Sequence, residues 1–271
     1  MTQNAKENRG KIQPHIMCGP RDVAPYALLP GHVQRSHSIA KMMEEARKIA
    51  ENREFVTYTG KHDGVPVTVT STGIGGPSAS IALEELANLG TGTFIRVGTT
   101  GSLQESIEVG DLVIATAAIR SEGTSLCYVP PEYPAVADLN VTSALLQAAK
   151  NSAARFHAGI VWSYDAYYAE TEDRIRQWSQ RRALAIDSES APIFVAATLR
   201  GLKAGSIMVV DGNLVKGTKK SEFTAGQQTG EQDPKVEDGI RKEIEIALEA
   251  IRLLATQEKR TWTIGARSAS A

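Results

Sequence analysis

Residues 71–101 read STGIGGPSASIALEELANLGTGTFIRVGTTG, and this stretch decides the fold class. The β-branched run 65–71 is halted by Gly73-Ile74-Gly75-Gly76-Pro77, a turn that cannot continue a strand. Residues 78–89 then place apolar side chains at the spacing of a helix with one buried face. The apolar run 93–98 predicts another strand. Strand, glycine turn, helix and strand in that order is the repeating unit of α/β sheets. Outward from it the alternation continues, with strands over 27–30, 55–59, 112–118, 157–162 and 206–210 and a short apolar piece at 185–187. Helices are predicted over 38–52, 139–152, 172–182, 191–199 and 237–255, the first because Ile39, Met42, Met43, Ala46 and Ile49 recur at helical spacing. No composition shift marks a linker. The prediction is a single α/β domain over 15–255, a central mixed β-sheet flanked by helices, with loose polar tails at 1–14 and 256–271.

The chain has 271 residues, 42% of them hydrophobic and 23% charged, and a formal net charge of −1. Near-neutrality argues against a broad nucleic-acid-binding surface, while a local anion pocket stays compatible with it. No run approaches the ~18 apolar residues of a membrane span, and residues 1–15 lack the apolar core of a secretory signal. Cys18 and Cys127 are the only cysteines, too few for a disulfide framework or a cysteine-rich zinc site. No His/Asp/Glu cluster has metal-ligand spacing along the chain. A reduced, cytoplasmic protein without membrane or nucleic-acid partners is expected.

In open α/β sheets ligands sit beyond the carboxyl ends of the strands, and five such loops carry unusual residues. Pro30-Gly31-His32-Val33-Gln34-Arg35 offers a glycine where backbone approaches an anion, and an arginine one turn on. The glycine turn 73–77 presents backbone N–H groups at a helix start, without the spacing of a dinucleotide fingerprint. Arg96 lies inside an apolar strand, where an unpaired guanidinium is costly. Beside it, Gly98, Thr99, Thr100 and Gly101 suit a phosphate cradle; pairing of Arg96 with a buried carboxylate is the other reading. Asp187-Ser188-Glu189-Ser190 supplies a carboxylate pair that also suits a helix cap, and Asp211-Gly212-Asn213 follows the last apolar strand.

At this point PGHVQR (30–35), NREF (52–55), STGIGGPSASIALEELANLG (71–90), IRVGTTGSLQ (95–104) and PPEYPAVAD (130–138) resemble the uridine phosphorylase branch of the hexameric nucleoside phosphorylases. The resemblance covers residues 15–255. It implies a nucleoside phosphorylase-like fold and a pentosyltransferase, with phosphate attacking C1′ of a nucleoside to give free base and ribose 1-phosphate. It further implies that Gly31, Arg35, Arg96 and Thr99 bind phosphate, joined by Arg53 from a neighbouring subunit. His15, also across the boundary, would meet the ribose 5′-hydroxyl, and Glu189 with Ser188 the ribose hydroxyls. Tyr167, Thr100, Gly101 and Asp211 would line the base. The implied partners are nucleoside, phosphate and further copies of the chain, as a dimer or as a hexamer built from three dimers. No cofactor and no metal are implied, phosphate being a co-substrate.

Two departures concern the sugar and phosphate: His32 stands where most of the family has Asp, and Ser188 where Met is frequent. The base pocket departs further. The Gln and Arg that read uracil are missing from Tyr167-Tyr168-Ala169-Glu170-Thr171-Glu172-Asp173, and Arg174 and Arg176 lie at the wrong spacing. Val209-Val210-Asp211-Gly212 resembles instead the purine-enzyme loop whose Asp hydrogen-bonds N7. The expected base is a 6-oxopurine, with Asp211, Arg96 and Glu189 as the catalytic set. Uridine phosphorolysis is the alternative, followed by a nucleosidase or a non-catalytic nucleoside-binding protein of the same fold. Replacing Arg96 with Ala is expected to abolish phosphorolysis and leave the fold intact.

Overall fold

The computed structural model describes residues 11–218 and 233–268, with backbone alone for 259–268. Its ten strands form one sheet: β1 (Tyr26–Pro30), β2 (Glu44–Asn52), β3 (Phe55–His62), β4 (Val65–Thr70), β5 (Thr93–Ser102), β6 (Leu112–Ser121), β7 (Ala135–Val136), β8 (Phe156–Tyr164), β9 (Ala185–Asp187) and β10 (Lys203–Asn213). The order is β10-β6-β8-β9-β5-β1-β4-β3-β2, and β10 also pairs with β5. Five strands therefore close a ring, β5-β10-β6-β8-β9, while β1, β4, β3 and β2 extend from its open side. Parallel pairs (β1 with β4 and β5, β10 with β5) mix with antiparallel ones such as β10 with β6.

The helices are α1 (Val33–Lys41), α2 (Gly76–Asn88), α3 (Gly123–Tyr128), α4 (Leu139–Asn151), α5 (Glu172–Gln180), α6 (Ser190–Leu199) and α7 (Pro234–Ser268). They cover both faces. Alternation along the strands sends Ala27, Leu29 and Phe94 toward Leu83, Leu86 and Phe194 of α2 and α6. Leu28, Ile95 and Val97 face the other way, toward Ile39 of α1, Val141 and Leu145 of α4, and Ile244, Leu248 and Ile251 of α7. A third cluster, Leu103, Trp162, Ile175, Ala183 and Ile186, packs α5 against the ring. No helix among the described residues is long and apolar enough to cross a membrane.

Three predicted features are corrected. The helix predicted over 38–52 is α1, which ends at Lys41, followed by the strand β2. The apolar spacing there was real, but backbone pairing with β3 from Glu44↔Lys61 to Asn52↔Phe55 prevails, and β2 is a charged edge strand. The helix predicted to end at 255 continues as α7 to Ser268, with Glu258 accepting from Tyr26 Oη at 2.6 Å and from Lys203 Nζ at 2.8 Å. Part of the predicted N-terminal tail is held: Gln13 is fully buried and donates its N–H to the Cys18 carbonyl at 2.8 Å. Residues 1–10 and 269–271 lie outside the described residues.

Trp162 is the largest fully buried side chain, stacked on Tyr164 at 4.9 Å with Trp178 at 5.9 Å. Trp162→Ala is expected to destabilise the protein by about 3–5 kcal/mol. Urea unfolding followed by circular dichroism measures this, and a loss below about 1 kcal/mol would contradict the packing described.

Candidate functional site

The site forms where β5 changes neighbours. Over Thr93–Val97 it lies parallel to β1, whose pairing ends at Pro30↔Val97. From Gly101 it pairs antiparallel with β9. Between those contacts, at Gly98, Thr99 and Thr100, only β10 is paired to it, and the other edge opens. The loops after β1 and β9 diverge there, a switch point of the kind where α/β sheets bind ligands.

Arg96 points to the α2/α6 face and folds its guanidinium over Gly98. A Cβ at Gly98 would lie 2.9 Å from Arg96 Cζ, so a side chain at 98 would displace the group. Arg96 Nε donates to Asp187 Oδ2 at 3.0 Å, and Nη2 pairs with Glu189 Oε2. Nη1 is buried with no hydrogen-bond partner. Burial opposes the charge on Arg96, and Glu189 and then Asp187 outweigh it, so the guanidinium stays charged. Burial raises the Glu189 carboxyl above its ordinary range, against the pull of Arg96.

Asp187 anchors the cluster, and its contact with Arg96 is the pairing with a buried carboxylate that the sequence offered as the other reading of that arginine. Its Oδ1 accepts from Ser163 Oγ at 2.7 Å, and its Oδ2 from the N–H and hydroxyl of Ser190 at 2.9 and 2.6 Å. Asp187 thus does the capping of α6, although Glu189 occupies the cap position. That leaves Glu189 facing the opening. Its Oε1 accepts from Gly75 N–H at 2.6 Å and its Oε2 from Ser188 N–H at 3.3 Å. The glycine turn therefore holds an anion of the protein itself, and Gly75, at φ 101°, has a conformation that suits glycine. Ser188 donates its hydroxyl to the Tyr164 carbonyl at 2.9 Å.

On the opposite face, Arg35 of α1 lies with Nη1 3.5 Å from the Val97 carbonyl and 3.6 Å from Glu243 Oε2 of α7. Both arginines thus converge on the middle of β5, at Val97 and Gly98. Gly31 sits against the glycine turn, where its Cβ would lie 3.3 Å from the Gly73 carbonyl. His32 caps α1, Nδ1 accepting from Gln34 N–H at 3.3 Å, the task an Asp commonly performs. Thr99, three residues past Arg96 on β5, is half-buried, and Thr100 donates its hydroxyl to the Ile186 carbonyl at 2.6 Å. Gly101 packs against Leu214.

Asp211 occupies a bulge. Val210 pairs with Thr100 and Gly212 with Gly101, so Asp211 is the extra residue of β10 beside the open part of β5. Tyr167 and Tyr168 form an edge-to-face pair in an exposed turn, 43% and 95% exposed. His15 and Arg53 stand apart from the arginine pair. His15 Nδ1 lies 2.5 Å from Glu85 Oε1, and Arg53 is exposed in the β2–β3 turn at φ 54°.

Tertiary contact also assembles a group that chain spacing hides. His62, Asp63 and Glu249 offer atoms within 4.8 Å of one another, from the β3–β4 turn and from α7. Arg252 already pairs with both carboxylates, at 2.6 Å to Glu249 and 3.7 Å to Asp63.

Residues 25–250 match the phosphorylase superfamily. A uridine phosphorylase of Thermococcus kodakarensis is 43% identical over 94% of this chain and 94% of its own. A guanosine phosphorylase of Halorubrum lacusprofundi is 41% identical over 89% of this chain and 99% of its own. The crystal structure of uridine phosphorylase from Vibrio fischeri superposes with a TM-score of 0.80 at 33% identity, covering 88% of this chain and 96% of that one. The chain belongs to the phosphorylase superfamily. Within it, the protein is an enzyme of the pentosyltransferase type.

The geometry adds to the loss of activity expected for Arg96→Ala a cost in stability. Removing the guanidinium strands Asp187 and Glu189, both buried, and breaking such a cluster costs about 3–5 kcal/mol. Urea unfolding of Arg96→Ala is expected to show that loss; a stability within about 1 kcal/mol of wild type would contradict the buried cluster.

Proposed function

We propose that the enzyme cleaves the N-glycosidic bond of 6-oxopurine nucleosides with phosphate, giving free base and ribose 1-phosphate. The observation that carries the phosphate reading is Arg96 Nη1, a buried donor without a hydrogen-bond partner at the open segment of β5. Two arginines converge there beside Gly98 and Thr99, and guanidinium forks match phosphate oxygens in pairs. Water as nucleophile would need no such pair.

Cleavage passes through an oxocarbenium-like sugar, positive at C1′. A phosphate dianion held beneath the ring serves as nucleophile and counter-charge, so positioning and electrostatics do the catalysis. Glu189 is fixed by Gly75, Ser188 and Arg96; its Oε2 takes both Ser188 and Arg96, and its Oε1, with the one bond from Gly75, keeps a lone pair for a ribose hydroxyl.

For the base, the reading assigns to Asp211, at the β10 bulge beside the open part of β5, the hydrogen bond to N7 of a departing purine. The two arginines nearest the missing uracil-reading pair are otherwise engaged. Arg174 donates to Tyr164 Oη at 2.6 Å and lies over its ring, and Arg176 pairs with Asp173 at 3.8 Å on the surface. The guanosine phosphorylase among the relatives is consistent with a purine, while the uridine phosphorylases keep uridine as the second reading.

A panel of inosine, guanosine, adenosine, uridine and thymidine, assayed for released base with and without phosphate, tests these readings. Phosphate-dependent release from inosine and guanosine is expected, with Asp211→Asn lowering kcat for inosine about 10²-fold or more. Efficient cleavage of uridine with inosine untouched would overturn the base assignment. Release without phosphate would make the enzyme a nucleosidase, and binding without turnover a nucleoside-binding protein.

His15 and Arg53 belong in this reading to a neighbouring copy's site, which makes the enzyme a homo-oligomer of reciprocal pairs. Co-assembly of Arg53→Ala with Glu189→Gln chains is expected to restore about a quarter of the sites, those pairing intact Glu189 with an intact Arg53 of the other copy. A mixture no more active than its parents would contradict sharing across the boundary.

A further inference from the structure

Glu243 of α7 is fully buried, and neither of its carboxylate oxygens has a hydrogen-bond partner. A carboxylate placed so is costly unless a charge or a proton compensates it. Among the described residues its one ion pair is loose, with Arg35 Nη1 at 3.6 Å. Its position is built in by packing. Gly239, one turn earlier on the same face of α7, lets the helix press against β10. A Cβ there would lie 2.4 Å from Val209 Cγ2 and 2.9 Å from the Gly110 carbonyl. Glu243, one turn on, lies against Arg35 and within the field of Arg96, beside the middle of β5.

We propose that Glu243 is a positioning residue of the anion site: it holds Arg35 from behind, and it takes up a proton when a phosphate dianion occupies the arginine pair. The proposal rests on the reading of Arg35 and Arg96 as the phosphate site. An ionised Glu243 neutralises part of the field those arginines present, whereas a neutral carboxyl leaves that field to the incoming anion. The balance is simple. One phosphate dianion binds, one proton passes from solvent to a Glu243 oxygen, and no other bond forms or breaks.

The charged groups facing Glu243 are Arg35 from α1 and Arg96 from β5, with the backbone N–H groups of Gly98 and Val209 nearby. Asp187 and Glu189 take the Nε and Nη2 of Arg96. Burial pushes the Glu243 carboxyl up to about 8, against the pull of Arg35 and then Arg96, so the free enzyme ionises it within reach of assay. Glu189 is also raised by burial, and it remains in place in every variant below.

Above about pH 8 free phosphate is already a dianion, so the phosphate KM there reports the protein. In wild type it is expected to rise by up to about tenfold per pH unit between about pH 8 and 9.5, with nucleoside KM and kcat changing less. Glu243→Gln is expected to flatten that rise to within about twofold, while Glu243→Asp, which keeps the acid, retains it. Calorimetry of phosphate binding, in buffers of different ionisation enthalpy, gives a readout independent of turnover. At about pH 9, where the free enzyme holds Glu243 ionised, wild type is expected to take up close to one proton more per phosphate than Glu243→Gln. Equal proton uptake in the two, or an equal rise of KM with pH, overturns the proposal. Should Glu243→Gln fail to fold, a wild-type phosphate KM that is flat over this range does so alone. A wild type that binds no phosphate removes the phosphate reading itself, and this proposal with it.

Discussion

The rest of the site depends on one buried guanidinium. Arg96 projects from the centre of an apolar sheet, where a lone charge could not be kept, and Asp187 at the end of β9 with Glu189 just beyond it hold it there. That demand fixes much else. Residue 98 has to lack a side chain because the guanidinium lies across it. Asp187 has to be held by Ser163 and Ser190, because a loose carboxylate could not orient the arginine. Glu189 has to approach closely, and the N–H of Gly75 supplies its other support.

The same constraint explains why the sheet departs from a simple open α/β order. Asp187 and Glu189 arrive on β9, which enters beside β5 only after β1 has left it. Pairing β5 with β1 along its first half and with β9 at its end opens a segment of backbone while both flanks remain hydrogen-bonded. The opening is thus a product of strand register. Arg35 reaches it from one face of the sheet and Arg96 from the other, and the bulge at Asp211 adds a third approach from β10.

Electrostatically, the described site holds two arginines against Asp187, Glu189 and Glu243. Carboxylates this close oppose an anion at the phosphate site proposed for these arginines. Their partition resolves the conflict: Asp187 and Glu189 take Nε and Nη2 of Arg96, which leaves Nη1 as a directed donor. A guanidinium can divide its donors this way because it carries five N–H groups in a rigid plane; an ammonium has no comparable geometry.

Local pattern alone determined the α/β class, the glycine turn before α2, the strand carrying Arg96 and the loop carrying Glu189. Each is written in short-range periodicity, in glycines, or in a charge set among apolar neighbours, and these act over a few residues. Pattern misread residues 44–52, since apolar spacing there fits a helix and only the presence of β3 makes it a strand. Glu243 was invisible as a site residue, and Asp187 stood out only as half of a carboxylate pair that also suited a helix cap. An Asp before a helix reads as a cap, and a Glu in an amphipathic helix reads as solvated surface. Burial beside Arg96 and Arg35 gives them their roles, and contacts spanning 91 residues from Arg96 to Asp187 exist only once the sheet has closed. The sequence thus named the groups able to bind an anion; tertiary structure decided which carboxylates restrain them, because charge in a low-dielectric interior is governed by what is brought near it.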